Sequence, residues 1–356
     1  MTPTLELIAI RLAYVVGAVV ALLWSRGAAP PLGGLFFGVF AQWDAGWFVR
    51  IAQHGYDTKQ SAAFFPLYPL VVRALAFVLH SEVAAGFVIS LASAAGAAAI
   101  LYRLSRSRDA VLLLALYPVA YVFTSVYSDA LFLLLVLASF DAALRGRSPA
   151  AGVFGGLAVA TRLLGLALLP SLVLLLWRGG VRKLAPLLLL PAALGAYMLY
   201  LQHRFGDAFA FAHAEGAFWL RRTPALGPLT GLWDAAHSAE QGLAQLVLHL
   251  PNGSYGKPEQ YAIQNLVQFA LLVAAAVLTW VAWRRLGAAY GLYSASTLVI
   301  VLASPAAVVP LVSLPRFLLA DFPLFVVLAR YRVLVPVFAA VGAVAAVAFS
   351  RGIWVA

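Results

Sequence analysis

Long apolar runs separated by short basic connections constrain this chain more than any other feature of its sequence. Hydrophobic residues fill 64% of the 356 positions and charged residues only 10%, whereas soluble domains carry about 25% charged residues. A run of about 20 apolar residues can cross the hydrocarbon core of a bilayer as a helix. We therefore expect an all-α polytopic membrane protein that folds as one domain over residues 1–356.

The apolar runs divide into about eleven candidate transmembrane helices. They are 6–24, 83–102, 110–126, 129–144, 150–162, 163–177, 184–203, 263–283, 288–304, 317–330 and 333–350. Several are shorter than 20 residues, so they are expected to tilt or to be buried among neighbours. No small-residue cleavage pattern follows the first run, which predicts a retained helix rather than a removed signal peptide.

Basic residues predict the orientation in the membrane. Half of the 24 Lys and Arg residues lie in five short connections, within 103–108, 145–147, 178–183, 284–285 and 330–332. The positive-inside rule puts these connections on the cytoplasmic side. The large segments 25–82 and 204–262 then face the extracytoplasmic side. For this parity to hold, the run 64–80 must lie at the interface as part of a first loop that contains interfacial helices.

Several classes of function are excluded by what the sequence lacks or disperses. The chain has no cysteine, which removes disulfides, thiolate catalysis and Cys-ligated metals. Its net charge of +11 comes from residues between apolar runs rather than on one polar face, which argues against nucleic-acid binding. No P-loop or GxGxxG pattern precedes a helix. No cofactor and no metal site are predicted, although a divalent ion is left open.

The segment AQWDAGWFVRIAQHGY, residues 41–56, holds the densest group of polar and aromatic side chains. As a helix it would present Asp44, Trp47, Arg50 and His54 on one face, with Trp43 beside them. A carboxylate at the start of that helix can accept a proton from an acceptor hydroxyl, while its neighbours bind donor or acceptor. The alternative is an interfacial helix that Asp44 caps and the Trp residues anchor.

A second acid, Asp129, stands at the start of the apolar run in FTSVYSDALFLLL. An ionisable group bordering apolar spans indicates a functional site by default. Tyr127 and Ser125 could bind a sugar hydroxyl there. In the alternative interpretation, Ser128 or Asp129 is only the N-cap of the helix.

Two arginines interrupt apolar stretches and need a partner or a water-filled cavity. They are Arg162 in GGLAVATRLLGLALLP and Arg316 in SLPRFLLADFPLF. The planar guanidinium matches a phosphate, so each is a candidate phosphate ligand. A structural salt bridge is the alternative for Arg162, and a pair with Asp321 is the alternative for Arg316.

The outer segment 204–262 contains scattered His and Glu residues, which are weak evidence for zinc and better explained as solvated loop residues or acceptor contacts. Its aromatic residues Trp219, Trp233 and Tyr255 could stack on a sugar or lie among lipid headgroups.

Six of these segments together resemble the PIG-V mannosyltransferase family. In order they are WDAGWFVRIAQHGY, AAFFPLYPLVVRAL, YSDALFLLL, ATRLLGLALLP, FGDAFAFAHAEGAFW and PRFLLADFPLF, between about residues 41 and 325. The chain looks like a bacterial relative of the GPI mannosyltransferases.

The resemblance implies a GT-C glycosyltransferase fold and an inverting transfer of mannose from a polyprenyl-phosphate donor at the extracytoplasmic face. It implies that Asp44 is the catalytic base. Asp129 stands where many relatives have Glu in a YSE motif, and Arg162 and Arg316 would contact the donor phosphate. The expected partners are that donor, a lipid or glycan acceptor and membrane lipids, in the cell membrane.

Two alternative functions belong to other classes of protein. A lipid-linked glycan transporter or flippase predicts charged residues near the midplane in both halves of the chain. A non-catalytic membrane subunit would use the same fold with Asp44 as a helix cap.

Overall fold

The computed structural model describes residues 2–26, 39, 41–251, 254 and 259–355. These residues form helices and no named strand, with one isolated β-bridge between Arg221 and Ala306. The α-helices are α1 (Pro3–Arg26), α2 (Asp44–His54), α3 (Leu67–Leu79), α4 (Glu82–Ser105), α5 (Arg108–Leu116), α6 (Asp129–Leu144), α7 (Ser148–Thr161), α8 (Leu168–Leu176), α9 (Val181–Leu184), α10 (Leu189–Phe205), α11 (Ala210–Trp219), α12 (Pro228–Val247), α13 (Glu259–Leu286), α14 (Ala288–Leu302), α15 (Leu314–Leu319), α16 (Phe322–Leu328) and α17 (Leu334–Ser350). The all-α prediction is confirmed for this part of the chain.

Four stretches of the described chain are long and apolar enough to cross a membrane as helices. They are Pro3–Trp24, Glu82–Ser105, Val181–Phe205 and Gln260–Leu286. Shorter apolar helices coincide with other predicted spans, among them Ser148–Thr161, Ala288–Leu302 and Leu334–Ser350. The protein is therefore a membrane protein, while eleven crossings and the GT-C fold stay predictions.

Two predicted spans are not continuous helices. Within 110–126, α5 ends at Leu116 and the chain turns into a 3-10 helix at Ala120–Thr124. Tyr117 adopts φ −51° and ψ 137°, the extended conformation that a following proline imposes. Within 317–330 the helix divides into α15 and α16 around Asp321, and a proline occupies the first turn of α16, where its missing N–H costs nothing.

Close helix packing surrounds the middle of the chain. Helix α6 packs against α4 and α7, and α7 packs against α10 and the turn before it. A Cβ on Gly152 would lie 2.2 Å from the carbonyl oxygen of Pro186, and one on Gly156 would lie 2.9 Å from that of Leu189. Small residues allow backbones to approach this closely in membrane helices.

Helix α3 lies within the run 64–80, which the sequence predicts to lie at the membrane interface rather than to cross the bilayer. Its 13 residues extend over about 20 Å, shorter than the hydrocarbon core. One side packs against α2 and α4, while Leu70, Phe77 and Val78 are exposed. This length supports the expected interfacial position. Residues 27–38 and 40 of the same loop, and Tyr255 of the later one, lie outside the described residues.

Candidate active site

A cavity of about 890 Å³ lies where α2, α7, α11, α14 and α15 meet. The charged side chains of its wall include Asp44, Arg162, Glu215, Arg221 and Arg316. Aromatic rings come from Phe48, Phe64, Trp219, Phe317 and Trp354, and aliphatic side chains from Leu163, Leu164, Ile300 and Val301. A mostly apolar cavity with a few convergent polar groups is typical of a small-molecule site.

Asp44 is the first residue of α2, as the sequence predicts. Trp43 precedes it as the N-cap with φ 54°, so the alternative in which Asp44 is the N-cap is wrong. Phe48 and Ile51 on the buried face fix the rotation of the helix. This rotation brings Asp44 into the cavity wall, where its Oδ2 accepts a hydrogen bond of 2.7 Å from Nη1 of Arg316.

Arg316 connects Asp44 to Asp129, and Asp129 connects Arg316 to Arg162. Nη2 of Arg316 donates to Oδ2 of Asp129 at 3.1 Å, and Nη1 of Arg162 donates to Oδ1 of the same carboxylate. The side chains of Arg316 and Asp129 are 5% and 3% exposed. These four residues, hereafter the charge cluster, alternate in sign. A buried ion of this kind is strongly destabilising if its partner is removed.

Aromatic rings enclose the guanidinium of Arg316. Its Cζ lies 4.7 Å from the ring centre of Tyr127 and 5.7 Å from that of Trp354, distances at which cation–π attraction operates. The Tyr127 hydroxyl donates to the Gln42 carbonyl at 3.1 Å, and Trp354 meets Trp43 edge-on at 5.6 Å. Tyr127 and Trp43, both predicted to bind substrate, therefore lie beside the charge cluster and outside the cavity wall.

Asp321 does not pair with Arg316, so that alternative from the sequence is wrong. Oδ1 of Asp321 accepts a 2.5 Å hydrogen bond from Ser294, and the side chain is fully buried. The helix break at this point puts Asp321 at the N-cap position of α16 and Arg316 on α15. Side chains three or four residues apart face each other on a helix, and a separation of five does not favour a pair even where the helix is unbroken.

The structure brings only part of the predicted α2 face into the site. Arg50 forms a 2.8 Å salt bridge with Asp57 and its side chain is 47% exposed, and His54 is exposed at the end of the helix. Trp47 stacks on Phe64 with 5.8 Å between ring centres and does not line the cavity. The apolar stripe of α2 turns Arg50 and His54 away because it packs against the core.

The outer segment supplies a second charged pair opposite the charge cluster. Glu215 Oε2 and Arg221 Nε are 3.1 Å apart, with side chains 38% and 11% exposed. Removal of Glu215 from bulk solvent raises the pKa of its carboxyl above the ordinary 4.5, although nearby Arg221 acts in the opposite direction. Burial likewise lowers the pKa of Arg221. Sequence reasoning did not single out Arg221, for which the arginine pair closing FWLRR was the available signal.

The arrangement combines a carboxylate beside the cavity with cationic groups that suit an anion. Among the described residues, no three His, Asp or Glu side chains cluster in a way that would hold a metal ion. His213 instead contacts Asp207 at 2.7 Å, and His237 contacts Glu240 at 3.4 Å.

Comparison with known proteins finds matches to mannosyltransferases. Residues 31–179 match the family model Mannosyltransferase (PIG-V). The chain is 31% identical to GPI alpha-1,6-mannosyltransferase 2 of Rattus norvegicus over 53% of its length and 46% of the relative's. It is 30% identical to the Mus musculus protein of that name over 51% and 44% respectively.

The chain thus spans less than half of the length of the curated relatives that it matches. No solved structure matches it. The family model covers the residues that carry Asp44, Asp129 and Arg162. The resemblance to the PIG-V mannosyltransferase family, predicted from the order of the motifs, is thereby confirmed.

Proposed function

We propose that this protein is an inverting glycosyltransferase that transfers mannose from a polyprenyl-phosphate donor to a lipid or glycan hydroxyl at the extracytoplasmic face of the membrane. The observation that carries the proposal is the charge cluster beside the cavity. Asp44, Asp129, Arg162 and Arg316 come from distant parts of the chain and meet through three ion pairs. The family match supports mannose as the transferred sugar.

Asp44 is the proposed general base. A single displacement needs a carboxylate that takes the proton of the acceptor hydroxyl while the oxygen attacks the anomeric carbon. The bond from that carbon to the phosphate oxygen breaks on the opposite face, so the configuration inverts. Asp44 lines the cavity with 16% of its side chain exposed and uses Oδ2 to bind Arg316. Its position in the wall supports this role.

Arg162 and Arg316 are the proposed ligands of the donor phosphate. Negative charge develops on the leaving phosphate, and preorganised cations in a site with little water stabilise it strongly. In the structure both guanidinium groups are neutralised by Asp129 and Asp44. An entering phosphate would share these donors, so the acids hold the arginines in place between turnovers.

The aliphatic part of the cavity suits the lipid end of the donor. Leu163, Leu164, Ile300 and Val301 lie in the same wall as the charged groups. A polyprenyl chain gains free energy by remaining in contact with apolar surface. This arrangement lets the sugar–phosphate bond meet Asp44 while the tail stays in the hydrophobic phase.

The proposal is tested with purified protein in nanodiscs, radiolabelled polyprenyl-phosphate mannose and membranes of the source organism as acceptor. Asp44→Asn should reduce transfer by about 100-fold or more, the range of general base catalysis. Asp57→Asn is the matched control, because Asp57 pairs with exposed Arg50 outside the cavity. Normal transfer by Asp44→Asn, or transfer from a nucleotide sugar alone, would overturn the proposal.

The membrane orientation is tested by cysteine labelling, since the chain has no native cysteine. Gln60→Cys and Glu240→Cys should react with an impermeant maleimide from outside, and Arg178→Cys only from inside. All three positions are exposed. The reverse pattern would put the cavity on the cytoplasmic side.

A further inference from the structure

All three guanidinium nitrogens of Arg221, which lies in the cavity wall, have an acceptor close by. Nη1 of Arg221 donates to the Ser304 carbonyl at 2.8 Å and Nη2 donates to the Val312 carbonyl at 3.0 Å. Nε lies 3.1 Å from the Glu215 carboxylate. Charge-assisted hydrogen bonds are stronger than neutral ones. Arg221 therefore holds both ends of the loop 304–312.

Backbone hydrogen bonds fix the same loop to the strand-like stretch around Arg221. The Arg222 N–H donates to the Pro305 carbonyl at 2.9 Å, and the Ala307 N–H donates to the Leu220 carbonyl at 3.1 Å. The outer segment 204–262 is thus joined to the loop that leads into α15.

This loop ends directly before the residues of the charge cluster. Ser313 follows with φ 67°, a left-handed conformation that is uncommon for a residue other than glycine. Arg316 then lies in α15. The guanidinium groups of Arg162 and Arg221 both lie over the ring of the next residue, Phe317. Cζ of Arg221 is 5.6 Å and Cζ of Arg162 is 5.7 Å from its ring centre. The position of Arg316 thus depends on a loop that Arg221 closes.

We infer that Arg221 is a positioning residue, which holds the loop 304–312 and thereby sets Arg316 in the geometry that binds the donor phosphate. The inference rests on the proposed function for the identity of the ligand. Glu215 contacts Arg221 at Nε, so the Arg221 side chain links the outer segment to the donor site in addition to the two backbone hydrogen bonds. Among the described residues no hydrogen bond joins Arg221 to Arg316, although the two like charges act on each other electrostatically. The loop 304–312 is the part of the chain through which Arg221 positions Arg316.

Arginine is required at this position because only a planar fork reaches three acceptors at once. A lysine ammonium keeps the charge but cannot span the Ser304 and Val312 carbonyls together with Glu215. Arg221→Lys is therefore the informative variant. Arg332→Lys is its matched control, because Arg332 lies outside the cavity wall, its side chain is 80% exposed and it forms a 2.8 Å salt bridge with Asp109.

The first measurement is equilibrium binding of radiolabelled polyprenyl-phosphate mannose to protein in nanodiscs. Arg221→Lys should weaken donor binding about 10-fold, because small displacements of binding groups have large effects on site geometry. Arg332→Lys should bind the donor as the unaltered protein does. Unchanged donor affinity in a folded Arg221→Lys protein would overturn the inference.

The second measurement follows the loop without any donor. Val309 in the loop is 5% exposed, so a single Val309→Cys in this cysteine-free chain should react slowly with a maleimide. Adding Arg221→Lys should accelerate labelling at least several-fold, and adding Arg332→Lys should not. If donor affinity fell while labelling stayed slow, Arg221 would be a direct ligand and the positioning role would be wrong.

A third variant keeps the inference testable if Arg221→Lys does not fold. Glu215→Gln retains Arg221 and its two carbonyl contacts, so it should give smaller changes in the same direction in both measurements. No change in either would overturn the inference. If the unaltered protein did not bind the donor at all, the proposed function would fail, while the labelling result would still report on the loop.

Discussion

Asp129 and Asp321 are two buried acids at the beginnings of apolar helices, and their surroundings are opposite. Asp129 accepts hydrogen bonds from Arg162 and Arg316. Asp321 accepts one from Ser294, and its Oδ2 has no partner among the described residues. Arg316 precedes Asp321 by five residues yet pairs with an acid 187 positions away. In this protein the buried arginine therefore pairs with an acid that lies close to it in the folded structure and not with the acid that is close to it in the sequence.

The largest expected effect is that of Asp129→Asn. The change leaves Arg162 and Arg316 without their shared counter-charge, and an unpaired buried ion costs about 3–5 kcal/mol. We expect this loss in the free energy of unfolding, together with a fall of about 100-fold or more in mannose transfer. Denaturation in detergent and initial-rate assays measure the two effects. If Asp129→Asn had the wild-type free energy of unfolding and the wild-type transfer rate, Asp129 would not differ from Asp321 in importance.

Arg316→Lys should have the next largest effect. Lysine keeps the positive charge but does not bridge Asp44 and Asp129 as the guanidinium does. Transfer is expected to fall about 10- to 100-fold, because the proposed phosphate site loses its fork geometry. Arg332→Lys is the control, since Arg332 makes an exposed salt bridge with Asp109. Equal rates for both variants would show that charge alone is sufficient at residue 316.

Asp321→Asn should change little. An amide can accept the Ser294 hydrogen bond and carries no charge that burial would penalise. We expect the free energy of unfolding to stay within about 1 kcal/mol of wild type, since no cation loses a partner. Transfer rates should be unchanged. A loss as large as that of Asp129→Asn would mean that Asp321 has an ionic partner that the comparison denies.

The smallest effect concerns a third acid, Glu215, whose pKa is raised by burial. The folded state holds this proton more tightly than the unfolded state. Stability from this group therefore falls as the pH rises from the ordinary value of 4.5 through the raised value of the folded state. The unfolding midpoint of wild type minus that of Glu215→Gln should decrease over this pH interval. A constant or increasing difference would indicate that Arg221 outweighs burial.

The membership of the charge cluster could be predicted from the sequence. The resemblance to the family implies that Asp44, Asp129, Arg162 and Arg316 serve one site. The residues alone indicate only that Asp129, Arg162 and Arg316, which border or interrupt apolar runs, need partners or a cavity. The start of α2 at Asp44 and the extent of α6 also follow from local pattern. Such features depend on neighbouring residues and on the preferences of the helix itself.

The parts that could not be predicted depend on long-range packing. A helical wheel groups Arg50 and His54 with Asp44, but only the contacts of α2 with the core determine which arc faces the cavity. Similarly, hydropathy does not reveal that the run 317–330 breaks at Asp321, because both halves are apolar. Arg221 was not singled out because two of its three partners are the backbone carbonyls of Ser304 and Val312, and backbone contacts cannot be read from residue types.

The contact of Trp354 with Arg316 has a practical consequence for anyone who produces this protein. A purification tag fused directly after residue 356 would be separated by two residues from the Trp354 ring, which lies over the candidate phosphate ligand Arg316. Bulk or charge there could alter turnover without any substitution in the cavity. A tag placed before α1, with a cleavable C-terminal version for comparison, would separate intrinsic kinetics from an artefact of cloning.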